Sequence, residues 1–364
     1  MIGKITLKRI IKAILPYGIV FIYWNRKQIM ADSSTVLLRY KKSLLGFLQM
    51  IKSSGGVALA PLFYVCFIKK CDKYLICRPG GGLNDALCRI ELCCRYALKH
   101  RRKLYIEAGY GSFLSKYNID KHFILPSYMS TDVIDFINYP ASVYPACFTN
   151  DIYTYEAIST PQGRKIKEGP FPQFDFNKNY NEQYLIYDNY GGGEESINFM
   201  KRVKLKEDLR THIVSQINKL GVYSAVHIRN TGAYKTNYKP FLDNISENPI
   251  HDKLVICTDS HEVQQYCKDL FGDKLVIPTS VPDLGGESLH TIKTQDLESK
   301  YKTNIDAITD LFILACSDRL YTTKITCEKL NITEDNAIYS GYSLLAMNLH
   351  KRKKIIKKLL SAGK

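Results

Sequence analysis

Apolar residues arrive along this chain in two alternating rhythms, short continuous runs and longer stretches at helical spacing. Lys73–Cys77 reads as a buried strand, 78–85 as a glycine-rich loop, and Ala86–His100 as a helix with Leu87, Ile90, Cys94, Ala97 and Leu98 on one face. Lys103–Glu107 closes this first strand-helix-strand unit. Between about 110 and 180 the periods dissolve into tyrosine, proline and aspartate, which predicts irregular, loop-rich chain. Order returns with a helix over 205–220 stopped by Gly221, then a strand over 223–228. A strand over 253–257 precedes a helix over 260–270, capped by Asp259 or Ser260 and closed by Gly272, and a strand over 275–277. A helix over 303–316, with Ile305, Ile308, Phe312 and Ala315 inward, leads to a last strand over 319–323. Strands alternating with helices predict an α/β fold with mostly parallel, doubly wound sheets, in which ligands sit beyond the carboxyl ends of strands. The loops after Cys77, Ile228, Cys257 and Ile277 are therefore the places to look.

With 364 residues, 45% of them hydrophobic, the chain is long enough for two medium domains and too apolar for disorder. Eleven scattered cysteines, Cys93 and Cys94 among them, lack a ligand cluster. They read as reduced, small buried hydrophobes in a cytoplasmic compartment, and no metal is expected. The net charge of +16 predicts an anionic partner. Lys4, Lys8, Arg9, Lys12, Arg26 and Lys27 surround the apolar run 13–24, which Pro16 and Gly18 interrupt. It is too short to span a bilayer and lacks a cleavage site. At the other end 344–360 reads as one helix, with Leu345, Leu349, Ile356 and Leu360 on one face and Lys351, Arg352, Lys353, Lys354, Lys357 and Lys358 nearby. That helix is expected either to lie on an anionic membrane surface or to cap the globule as a solvated basic tail. No zinc finger, RNA-recognition motif or basic-aromatic platform appears, so nucleic acid is not the expected partner. The expected organisation is a basic, apolar segment over 1–70, nucleotide-fold domains over 71–200 and 201–340, and a basic helix over 341–364.

Gly80, Gly81 and Gly82, followed by Asn84 and Asp85, put bare backbone amides at a helix start, where an anion or sugar can approach closely. The same residues also suit a tight turn with Asp85 as a helix cap. Arg229 ends His227-Ile228-Arg229 at the mouth of a strand, where a planar guanidinium can hold a diphosphate by paired hydrogen bonds. The alternative is a surface arginine paired with a carboxylate; His227 is a further donor-site candidate, although a histidine so placed more commonly has a structural role. Thr258, Asp259 and Ser260 open the next helix, whose free amides suit a ribose or base. His290 follows Gly285 and Gly286 in a flexible loop, and Asp306 and Asp310 lie four apart on one helix. Gly191-Gly192-Gly193 reads as a hinge or loop between the halves, without chemistry.

The run from Arg78 through Asp85 to Glu107 resembles the opening of the fucosyltransferase superfamily that includes bacterial α-1,2-fucosyltransferases and nodulation fucosyltransferases. The segments Ala225–Arg229, Thr258–Ser260 and Asp306–Leu311 look like that superfamily's later motifs, in the same order, the whole covering about two thirds of the chain. The resemblance implies a GT-B fold: two Rossmann-like domains facing a cleft, the donor held by the second. It also implies inverting, metal-independent transfer, with GDP-fucose as the favoured nucleotide sugar and a bacterial surface glycan or lipid-linked glycan as acceptor. The enzyme would work in the cytoplasm at the inner face of the membrane. Arg229 would bind the donor diphosphate, Asp306 or Asp310 would shape the nucleotide site, and Asp85, with Glu107 behind it, would orient or deprotonate the acceptor. Asn230 stands where the superfamily carries a second arginine, with Lys235 nearby to compensate. Two other classes stay open: a non-catalytic sugar- or nucleotide-binding subunit, and a basic nucleic-acid-associated protein.

Overall fold

The computed structural model describes residues 72–107, 113–114, 119–131, 142–148, 157–160, 163–166, 174–189, 191–248, 253–287 and 296–362. The basic run before Asp32 and His290 lie outside them. Contacts divide the chain into Met1–Lys70 and Cys71–Lys364, and everything below concerns the second unit.

Its first half begins with β1 (Tyr74–Pro79), α1 (Leu83–Lys99) and β2 (Lys103–Ile106). β3 (Phe123–Ile124), β4 (Met129–Ser130), β5 (Val143–Tyr144) and the hairpin β6 (Ala157–Thr160) and β7 (Gly163–Ile166) break the irregular stretch into short pieces. β8 (Tyr184–Asn189) and α2 (Ser196–Arg202) complete the half. Five strands form a sheet in the order β4-β2-β1-β8-β5, every neighbouring pair parallel. A parallel sheet is covered on both faces, which explains the apolar run Leu75, Ile76 and Cys77, each at most 3% exposed. Arg202 and Glu91 form a buried two-pronged ion pair between α2 and α1, at 2.6 and 2.9 Å.

The short β9 (Lys204–Leu205) pairs antiparallel with β3. The second half then runs α3 (Glu207–Leu220), β10 (Ser224–Ile228), α4 (Lys239–Glu247), β11 (Leu254–Thr258), α5 (His261–Phe271), β12 (Leu275–Val276), α6 (Leu297–Cys316) and β13 (Arg319–Thr322). Four parallel strands lie in the order β12-β11-β10-β13. Gly221 ends α3 at φ +70° and Gly272 ends α5 at φ +51°, the two stops read from the sequence. The cap of α5 is Ser260, whose hydroxyl accepts from Val263 N, and not Asp259. α6 starts six residues before its expected Thr303 because Asp296 caps it, its carboxylate accepting from Ser299 N at 2.8 Å.

After the small antiparallel pair β14 (Lys324–Ile325) and β15 (Ile338–Tyr339) come α7 (Gly341–Lys351) and α8 (Lys353–Leu360). The single helix expected over 344–360 is thus two. Arg352 leaves helical geometry at φ −115°, ψ 62°, and the hydrogen bonds there tighten to Arg352 N with Leu349 O and Ile355 N with Arg352 O. The break lets each piece bury its own apolar side: Leu345, Leu349, Ile356 and Leu359 are all at most 6% exposed. α7 packs on α1 and α2 as well as on α6 and β13, and α8 on α2, β9, α3 and α6. The apolar face offered in sequence to a lipid interior is therefore inside the protein, and the lysines are left outside. Among the described residues no helix is long and apolar enough to cross a membrane.

Candidate active site

In both sheets the strand order reverses beside a central strand. From β1 the chain goes to β2 on one side and returns to β8 on the other, and from β10 it goes to β11 and β12 before β13 closes the opposite side. Crevices open at such switch points, beyond the carboxyl ends of the strands. The first switch point is flanked by Gly80–Gly82 after β1 and by Gly191–Gly193 after β8. The second begins with Arg229 after β10.

The β1 loop is a tight entry to α1. Gly80 N donates to Asn189 O at 3.0 Å, extending the sheet ladder. Gly81 takes φ +86°, and a Cβ there would lie 2.7 Å from Asp85 Oδ2, so glycine is required twice over. Gly82 is the N-cap residue, and its amide donates to the Asp85 carboxylate. A capping role for Asp85 is thus present, but it does not exhaust the residue. Burial raises its proton affinity above that of an ordinary carboxylate, against the pull of the Gly82 amide, Arg89 and Arg229.

The second glycine run, read from sequence as a hinge, closes on the same carboxylate. A Cβ at Gly192 would sit 3.0 Å from Asp85 Oδ1. Arg89 fixes this run by donating from Nη2 to Gly192 O at 2.8 Å, and from Nη1 to the Tyr187 hydroxyl at 3.3 Å. Asn84 donates to Gly193 O at 3.1 Å and accepts from Ser196 Oγ at 2.6 Å, tying the two glycine runs together. Glu107, the residue after β2, accepts from Arg78 Nε at 2.6 Å.

Across from Asp85, Arg229 is held by Asp259, which also accepts from Asn230 N at 3.0 Å and from the Thr231 hydroxyl. The paired arginine weighed in the sequence is what the structure contains, but its side chain is only 17% exposed, so this is no surface pair. Burial brings its pKa down to about 10, and it stays charged at neutral pH. The Tyr234 ring lies 5.6 Å from the guanidinium carbon, and burial and the nearby Asp85 charge both raise the Tyr234 hydroxyl's pKa. Asn230, in place of a second arginine, is buried and accepts from Thr236 N at 3.1 Å, while Thr236 Oγ1 donates to Arg229 O at 2.6 Å. Lys235 contributes backbone only, pairing with Thr326 at 3.0 and 2.8 Å, and its side chain is exposed. Gly232 N donates to Gly286 O at 2.7 Å, bringing the Gly285-Gly286 turn beside the Arg229 loop.

The remaining candidates lie beneath. His227 is 5% exposed, with Nδ1 2.7 Å from Ser343 Oγ and its ring packed at 4.8 Å on Tyr342. Burial, then the Arg229 charge, lowers its pKa to about 3, so the imidazole is neutral and anchors α7 to β10. Thr258 and Ser260 spend their hydroxyls on backbone amides, of Ser260 at 3.2 Å and of Val263 at 3.4 Å. Asp310 is buried and accepts from Thr279 Oγ1 at 2.9 Å; burial, with Asp306 adding repulsion, pushes it up to about 7. Asp306, half-buried one turn earlier, is raised by burial. Among the described residues no three His, Cys, Asp or Glu side chains could hold a metal ion.

Solved structures similar to this chain include fucosyltransferases. They include NodZ from Bradyrhizobium, at 15% identity and TM-score 0.49 over 76% of this chain and 93% of that one. NodZ α-1,6-fucosyltransferase soaked with GDP-fucose gives 15% and 0.47, over 76% and 92%. An Arabidopsis thaliana FUT1 mutant in complex with GDP gives 12% and 0.44, over 82% and 76%. No protein-family model and no curated protein matches the chain.

Proposed function

We propose that this chain is a GT-B glycosyltransferase that moves a sugar, fucose favoured, from a nucleotide donor, GDP-fucose favoured, to a bacterial surface glycan such as O-antigen or capsule. The observation that carries the proposal is electrostatic. A charged, poorly hydrated Arg229 and a carboxylate of raised proton affinity, Asp85, feel one another across the loops after β10 and β1. The GDP and fucose assignments rest on the sequence resemblance.

Arg229, braced by Asp259, takes the donor diphosphate and stabilises the charge that develops as the bond from anomeric carbon to phosphate oxygen breaks. The acceptor hydroxyl attacks the opposite face of that carbon, giving inversion. Its proton passes to Asp85, because a carboxylate with raised pKa is the better base near neutrality. Glu107, already neutralised by Arg78, is the weaker candidate. The proposed transfer uses no metal, and a reaction in the cytoplasm at the inner face of the membrane fits a lipid-linked acceptor.

The test combines ligand-induced thermal shifts with GDP, UDP, CDP and dTDP and transfer assays with the corresponding sugars. GDP should give the largest shift. Arg229→Ala should lower turnover by about 100-fold or more. Full transfer activity in a folded Arg229→Ala protein would overturn the mechanism. Nucleotide binding without turnover in the native protein would instead identify a binding subunit.

A further inference from the structure

α8 has a second face. At about 100° of turn per residue, Lys353, Lys354, Lys357 and Lys358 fall within about 140° of arc, opposite the buried Ile356 and Leu359. All four are exposed, as are Lys351 and Arg352 before them, and 351–362 contains no acid. The elements beneath add more positive charge. Lys358 Nζ donates to Val203 O at 3.2 Å and to Lys201 O, which brings Lys201 and Lys204 alongside. Arg352 acts on Lys201, and Lys204 on Lys358, each lowering the other lysine's pKa after burial has done so. The acid that acts on the group is Glu91, on Lys201, and Arg202 already holds its carboxylate; on α3 Glu207 is paired with Arg210, and Asp208 is exposed. Like charges gathered on one face make a positive surface that attracts a polyanion.

We infer that the lysine face of α8, with Arg352, Lys201 and Lys204, is an electrostatic docking surface for an anionic lipid bilayer. Contact is made by charge and not by insertion, since the apolar side of α8 is already packed inside the protein. Lipid is favoured over nucleic acid because 351–362 holds no aromatic side chain on which a base could stack, and a headgroup layer asks only for charge. The inference is independent of the donor reading and puts the α2 and α8 side of the protein against the membrane.

The experiment is flotation of the full chain with phosphatidylcholine vesicles, with and without phosphatidylglycerol, at low and high salt. The test protein is Lys354→Glu/Lys357→Glu, two lysines whose side chains bond no backbone carbonyl. A Lys268→Glu/Lys274→Glu protein on α5 and the turn after it matches the charge change elsewhere. Partition onto anionic vesicles should fall at least about tenfold in the first protein and much less in the control. Lys354→Gln/Lys357→Gln should give an intermediate loss, with melting temperatures unchanged in all. Equal loss in test and control, or none in the test protein, would overturn the surface. So would a loss confined to binding of single-stranded or duplex nucleic acid.

Discussion

Replacing Asp310 by asparagine changes the charge of one buried group and little else, so its effect on stability can be worked out from the structure. The amide keeps an oxygen for the 2.9 Å hydrogen bond from Thr279 Oγ1. In the unfolded chain this carboxyl titrates near 3.8, and in the fold burial pushes it up to about 7. A raised folded pKa means that the folded state holds the proton more tightly. The group's stabilising contribution is therefore complete below about pH 4 and is lost as pH rises toward 7. Three pH units at about 1.4 kcal/mol each set an upper limit of about 4 kcal/mol on that loss. Urea unfolding of wild type and Asp310→Asn at pH 5, 6, 7 and 8 should show the variant gaining on the wild type by a few kcal/mol as pH increases, with the difference flattening above pH 7. Asp306→Asn should shift the wild-type curve to lower pH, because Asp306 supplies part of the repulsion. Parallel stability curves for wild type and Asp310→Asn would show that Asp310 is ionised throughout and refute the assignment.

Two further predictions concern charge held without water. Glu91→Ala leaves Arg202, whose side chain is 2% exposed, without its carboxylate and should cost about 3–5 kcal/mol in urea unfolding, whereas Glu91→Gln should cost less. Tyr234→Leu removes the ring beside Arg229 and should weaken nucleotide affinity by about tenfold by calorimetry, while Tyr234→Phe, which keeps the ring, should not.

Local signals in the sequence reached the strands and their caps, because those depend on neighbours a few residues apart. The apolar runs of β1, β10 and β11 and the left-handed stops at Gly221 and Gly272 were legible for that reason. The Asp296-to-Ser299 cap of α6 was also there to be read, but the polar first turns it begins carry no apolar period, so the helix seemed to start later. The break at Arg352 has no local sequence signal, since lysine and arginine are good helix formers and the cause is packing of two apolar faces on different neighbours. Asp259 shows the same boundary in the site. Its position after a strand was evident, but its carboxylate turns back thirty residues to Arg229, leaving the helix cap to Ser260.

Gly191–Gly193 fell outside the chemistry for a deeper reason. Sequence order puts this run about 110 residues after the first glycine cluster, whereas sheet order puts β8 beside β1, in register from Tyr74 with Tyr184 to Pro79 with Asn189. A strand that returns to the far side of β1 must end at the same edge, and the chain leaving it must pass the entry to α1. There Asp85 occupies the room that a Cβ on Gly81 or Gly192 would take. Bare backbone on both sides keeps Asp85 close-packed between two loops, and close packing is what strips its water and raises its proton affinity. Gly81, Gly192 and the carboxylate are one device, and enlarging either glycine acts through Asp85. A methyl at Gly192 should push the carboxylate toward solvent and lower its pKa, even though residue 192 itself carries no titratable group.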